Sequence, residues 1–222
     1  MGQHINIPTS GTQCIGAYLA QPAGKPKGGL VVIQEIFGVN AHMRSVVDRF
    51  AELGYTAIAP AFFDHVETGV ELGYDEAGFA KGRQLAGEVG LERALEDVAS
   101  AAEAIASAGK IGTVGYCWGG SVALLAALRL GLPSVSYYGA RNLPFLHETP
   151  KAPVMFHFGE KDQHITPEMV AKHREVLPQM QTFTYPADHG FNRDAGASYD
   201  EASATLALQR TMAFFDRHLA GA

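Results

Sequence analysis

Gly115-Tyr116-Cys117-Trp118-Gly119-Gly120 contains a nucleophile in a setting that could make it reactive. The stretch follows a short apolar run, Ile111 to Val114, and precedes an alanine-rich helical pattern, Ser121 to Leu130. A reactive side chain flanked by glycines at a strand-to-helix junction is the sequence form of a nucleophile elbow. Bulky neighbours two residues to either side would clash in so sharp a turn, and Gly115 and Gly119 occupy those places. The nucleophile is a thiol rather than the usual hydroxyl. A free thiol is mostly protonated near neutral pH, so Cys117 needs an imidazole to become or remain thiolate. The imidazole in turn needs a carboxylate that fixes its tautomer and stabilises its charged form.

Both partners are available. Glu35, Cys117, Asp162 and His189 each stand just after a predicted strand, where sites form in doubly wound sheets. Cys117, Asp162 and His189 follow the chain order nucleophile, acid, histidine of the α/β-hydrolases. Asp162 has rivals in Glu160 and Asp188. Asp188 is adjacent to His189 and should point elsewhere, and Asp162 is preferred. Glu35 ends an apolar strand, where an unpaired acid is costly. It is expected either to pair with an arginine such as Arg44 or to contact Cys117 and hold the thiol protonated. The backbone N–H of Trp118 is placed to serve an oxyanion hole, with a second donor from the loop after the Glu35 strand. His157, inside an apolar strand, reads as a satisfied core histidine, His164 as a rim residue, and Cys14 as a core residue.

Strands alternating with helices must carry these groups. His4 to Ile7 and Cys14 to Ala20, joined through Thr9-Ser10-Gly11, form an antiparallel hairpin at one edge. Gly29 to Gln34, Tyr55 to Ala59, Ile111 to Val114, Val135 to Tyr138, Val154 to Phe158 and Thr182 to Tyr185 are the further strands. Asn40 caps a helix with Met43, Val47, Phe50 and Leu53 at helical spacing, stopped by Gly54. Leu91, Leu95, Val98, Ala102 and Ile105 mark another helix, ended by Gly109. Thr166-Pro167 opens one running to about Leu177, and residues 199–219 form the last. Residues 61–90, rich in glycine and charge, are expected to be a loop-and-helix lid. The pattern predicts one α/β domain over residues 1–222, with a mostly parallel twisted sheet, helices on both faces and an N-terminal antiparallel hairpin.

Composition narrows the function classes. A chain of 222 residues with 47% hydrophobic and 18% charged residues can bury a sizeable core. The net charge of −6 argues against nucleic-acid and anionic-membrane partners, yet local arginines can still hold an anionic small molecule. No signal-peptide pattern or apolar run of transmembrane length is present, and two distant cysteines make no disulfide framework. A cytoplasmic monomer is the expectation. The nine histidines show no metal-ligand spacing, and no nucleotide-binding glycine motif follows a strand, so neither metal nor cofactor is expected.

Over nearly its whole length the chain resembles the dienelactone hydrolase (carboxymethylenebutenolidase) family of α/β-hydrolases. The resemblance is most specific at Gln34-Glu35-Ile36-Phe37-Gly38-Val39-Asn40, at Gly115 to Gly120, at Tyr137-Tyr138-Gly139, at Asp162 and around His189-Gly190-Phe191. It implies Cys117 as nucleophile, His189 as base, Asp162 as its orienter, and Glu35 as the group that helps release the thiolate when substrate binds. It also implies oxyanion donors at Ile36 and Trp118, and a lactone or ester substrate beside Phe37 and Tyr138. Members that take dienelactone hold its carboxylate with arginines. Arg193 fits the one after the histidine, and Arg83 or Lys81 the one expected between residues 75 and 90. Gly190 departs from the small polar residue common after the histidine.

Overall fold

The structure is a computed structural model describing residues 1–11 and 13–219. Eight strands form one sheet: β1 Gln3–Pro8, β2 Cys14–Ala20, β3 Gly29–Ile33, β4 Thr56–Pro60, β5 Ile111–Tyr116, β6 Ser134–Tyr137, β7 Val154–Gly159 and β8 Gln181–Tyr185. Their order is β1-β2-β4-β3-β5-β6-β7-β8. The β1–β2 and β2–β4 pairs are antiparallel and the rest of the sheet is parallel. The fold is therefore the one expected, with its antiparallel hairpin at one edge. Leu30, Val31, Val32 and Ile33 of β3 are all fully buried, the mark of a strand covered on both faces.

Four α-helices lie between strands, α1 Ala41–Glu52, α2 Glu76–Ala104, α3 Trp118–Leu125 and α4 Pro167–Val176, and a fifth, α5 Glu201–Leu219, follows β8. The crossover through α1 runs from β3 toward the hairpin edge, while those through α2, α3 and α4 run the other way. Right-handed crossovers therefore place α1 on the face opposite α2, α3 and α4. Asn40 caps α1, its Oδ1 accepting the N–H of Met43 at 3.2 Å. Thr166 caps α4 ahead of Pro167.

Two expectations need correction. The segment 61–90 is less irregular than its composition suggests, because α2 begins at Glu76 and not at Leu91. Gly90, at φ 71°, breaks α2 into two helical segments, and the second is the one read from the apolar spacing. Glycines hid the first, since each costs about 1 kcal/mol against alanine in a helix. Gly82 has a packing reason: a Cβ there would strike the Ile36 carbonyl oxygen, so only glycine lets α2 lie this close to the loop after β3. The second correction is Cys14, which is exposed. It starts an outer strand opposite Pro8, and the neighbouring Ile15 fills the core position instead.

Candidate active site

Cys117 lies between the end of β5 and the start of α3, with φ 55° and ψ −114°. This left-handed backbone at a residue with a side chain is the strain an elbow stores. A Cβ on Gly115 would meet the Gly119 carbonyl, and one on Gly119 would meet the carbonyl oxygens of Ile33 and Gln34, so both glycines are required by close approach. The N–H of Cys117 donates to the Tyr137 carbonyl at 3.0 Å, fixing the turn to the next strand.

Asp162 follows β7 with its side chain fully buried. Its Oδ1 accepts the N–H groups of His164 and Ile165 at 2.7 and 3.2 Å, and its Oδ2 lies 2.7 Å from His189 Nδ1. Glu160 is exposed, and the exposed Asp188 accepts the N–H of His189, so neither rival reaches the imidazole. The His189 ring and Cys117 line the same cavity. Burial works against the charged ring, but the opposing charge of Cys117, together with the Asp162 hydrogen bond, outweighs it. The histidine is pushed up to about 10. Asp162 fixes the ring orientation that a base serving Cys117 requires.

Trp118 is the first residue of α3, so its N–H has no partner within the helix. The Ile36 N–H, in the turn after β3, is likewise not used by the loop hydrogen bonds among the described residues. The Trp118 indole packs edge-on against Phe62 at 5.6 Å. Both amides stand at the N-terminal ends of connections after neighbouring strands, a geometry suited to receiving a developing oxyanion.

Glu35 is 2% exposed and bonded to Arg193, whose Nη1 lies 3.4 and 3.3 Å from its two oxygens. The expected ion pair with an arginine is present, but its member is Arg193 and not Arg44, and the alternative contact with Cys117 is absent among the described residues. Arg44 pairs instead with Glu71 at 2.7 Å. Arg193 sits over the Tyr74 ring at 4.5 Å and the Phe37 ring at 5.4 Å. Burial opposes its charge, but the adjacent Glu35 more than offsets it, so its pKa is raised. The next residue, Asp194, is clamped by His42 at 2.7 Å and Arg49 at 3.1 Å, which ties this loop to α1.

Cys117, His189, Arg193 and Arg83 line one cavity of about 430 Å³, within the range of small-molecule sites. Ile36, Phe37, Phe79 and Trp118 supply its apolar wall, and His164 lies at its rim as expected. Lys81 turns away to pair with Glu67, leaving Arg83 as the cation from α2. Tyr138 does not line the cavity, contrary to expectation. Its positive φ of 38° ends β6, and its fully buried ring packs beside Phe191 and 5.0 Å from the ring of His189. His157 is a core histidine, bonded to Tyr185 and Thr211 at 2.7 and 3.1 Å. Sequence reasoning passed over Tyr74, His42, Asp194 and Arg141, which reach the site only through tertiary packing. Among the described residues no cluster of three or more His, Cys, Asp or Glu could hold a metal, and no helix is long and apolar enough to cross a membrane.

A model of the dienelactone hydrolase family matches residues 15–219. A carboxymethylenebutenolidase of Pseudomonas putida is 32% identical, with 95% of this chain and 94% of that protein covered. One from Cupriavidus pinatubonensis is 29% identical over 89% of each chain. The crystal structure of a Klebsiella pneumoniae protein assigned to the dienelactone hydrolases superposes with a TM-score of 0.87 at 30% identity, covering 98% of this chain and 99% of that one.

Proposed function

The chain belongs to the dienelactone hydrolase family and is a hydrolase of esters or lactones; from this premise we propose that it works through a Cys117 thioester. The observation that carries the proposal is the His189 imidazole, held by Asp162 at 2.7 Å and lining the same cavity as Cys117. The thiolate attacks the substrate carbonyl carbon, and the oxygen takes up negative charge against the N–H groups of Trp118 and Ile36. When the tetrahedral species collapses, the bond to the leaving oxygen breaks and that oxygen takes the imidazolium proton. Neutral His189 then removes a proton from water, which attacks the thioester. The carbon–sulfur bond breaks, and thiolate and imidazolium are restored.

The Glu35–Arg193 pair gives a role to substrate charge. A carboxylate entering beside Arg193 and Arg83 competes with Glu35 for the Arg193 guanidinium. Glu35, once displaced, becomes free to help release the thiolate, the role its family resemblance assigns it. A carboxylate-bearing lactone is therefore the favoured substrate. The alternative is a broad carboxylesterase or thioesterase, which is supported by the exposed position of Arg83, a weak anchor for a carboxylate.

The test is a panel of lactones and esters, with and without a carboxylate, assayed on the wild type, Cys117→Ala and Arg193→Ala. The proposal expects Cys117→Ala to lose all turnover and Arg193→Ala to lose mainly the anionic substrates. Full activity of Cys117→Ala rules out the thiol mechanism. Equal kcat/KM for anionic and neutral members in the wild type favours the broad esterase.

A further inference from the structure

A second cavity, of about 240 Å³, lies between the β1–β2 hairpin, the loop after β3 and residues 61–71. None of Cys117, Asp162, His189 or Arg193 lines it, and the mechanism gives it no role. Its outer wall is fixed by backbone contacts. Gly38 and Glu71 form an antiparallel bridge, and the N–H of Leu72 donates to the Phe37 carbonyl at 2.9 Å. The cavity is therefore largely preformed, as ligand sites usually are.

Gln34 supplies the strongest sign of a ligand. It is fully buried and its backbone carbonyl faces Gly119, so its side chain is the part that lines the cavity. Its Nε2 donates to the Glu35 carbonyl at 3.2 Å, which fixes the orientation of the amide. Oε1 is left as an acceptor without a partner among the described residues. A buried acceptor in that state is unfavourable until a donor reaches it.

The charge of the wall says what kind of donor fits. The half-buried Asp64 carboxylate accepts the N–H groups of Gly16 and Gly69 at 2.8 and 3.0 Å, yet no cation lies within ion-pairing distance of it among the described residues. Glu71, the other acid of the wall, is already paired with Arg44 at 2.7 Å. No lysine or arginine lines the cavity, and His4, packed edge-on against Tyr18, is its one basic side chain. The catalytic cavity is the reverse, with Arg83, Arg141 and Arg193 on its wall. Buried Val39 and Phe63 give the second cavity an apolar side.

We propose that this cavity binds a small primary ammonium ion carrying a short alkyl chain. The ammonium group, with three donors and no acceptor, is held by Asp64 and Gln34 Oε1, and the chain lies against Val39 and Phe63. The volume admits only a ligand of few heavy atoms. The site is independent of the Cys117 mechanism.

The probes are n-butylammonium chloride and 1-butanol, which share a chain and differ in charge, titrated at ionic strength held constant with sodium chloride. The readout is the amide resonances of Gly16 and Gly69, whose N–H groups Asp64 accepts. Butylammonium should shift both saturably with a single Kd, and butanol should bind more weakly. Asp64→Asn should weaken butylammonium about tenfold, the low end for a hydrogen bond to a charged group. Gln34→Met, which removes the acceptor at similar size, should weaken it as well. Cys117→Ala should bind as the wild type does. No saturable shift in the wild type overturns the site, and equal binding of butanol overturns its preference for a cation. Wild-type affinity in both Asp64→Asn and Gln34→Met, or lost binding in Cys117→Ala, shows that the amine sits elsewhere and also overturns the site.

Discussion

Arg193 and Glu35 are buried against each other, Nη1 lying 3.3 Å from Oε2, although 158 residues separate them in the chain. The pair joins the strand end that supplies Ile36 to the loop that supplies His189. Removing one member leaves a buried charge uncompensated, which costs about 3–5 kcal/mol. Glu35→Gln is therefore expected to lower the urea midpoint sharply. The double variant Glu35→Gln with Arg193→Met should recover part of the loss, a coupling measurable by a double-mutant cycle. Additive losses would show that the two side chains are not coupled.

Gly82→Ala separates helix propensity from packing. In an open helix the change would stabilise by about 1 kcal/mol. Here the new methyl meets the Ile36 carbonyl, so α2 or the loop must shift. A displacement near 1 Å at an oxyanion donor costs about a hundredfold in rate. Steady-state kinetics of Gly82→Ala should show a large fall in kcat with the fold intact by circular dichroism. Wild-type kcat would separate the position of α2 from the Ile36 amide.

The His189 imidazole should titrate at about 10 in the wild type, as read from its ring resonances. Its raised value depends chiefly on Cys117, while burial pulls the other way. Cys117→Ala should move the titration well down, because the desolvation remains and only Asp162 is left to oppose it. An unchanged midpoint would mean that sulfur and ring do not interact.

His157 governs part of the acid limb of stability. Burial lowers its pKa from 6.5 to about 3, so in that window the unfolded chain binds a proton that the native state does not. The stability that a neutral His157 contributes is full above pH 6.5 and is lost as pH falls toward 3, by about 1.4 kcal/mol per unit. Buried His173 is lowered too and adds to the slope. Urea midpoints between pH 7 and 4 should fall less steeply in His157→Gln than in the wild type, and parallel slopes would contradict this.

Local rules made much of the molecule legible. The elbow glycines, the Asn40 and Thr166 caps and the apolar strands act through near neighbours, so Cys117, Asp162 and His189 could be placed from strand ends alone. What stayed hidden depends on contacts between distant segments. The first half of α2 is built around glycines whose reason lies in the Ile36 loop. The partner of Glu35 comes from the far end of the chain, and the exposure of Cys14 follows from its place at the start of an outer strand. Tyr138 was misplaced because its left-handed backbone turns the ring behind His189, a conformation that no spacing pattern signals.

The central claim is that Cys117 is acylated during turnover. Intact-mass measurement on rapidly quenched wild type with nitrophenyl acetate should show one added acetyl group, mapped to the peptide bearing Cys117. Cys117→Ala should show neither adduct nor turnover. Turnover at the wild-type rate in Cys117→Ala, or an acyl group on another residue, would contradict the account.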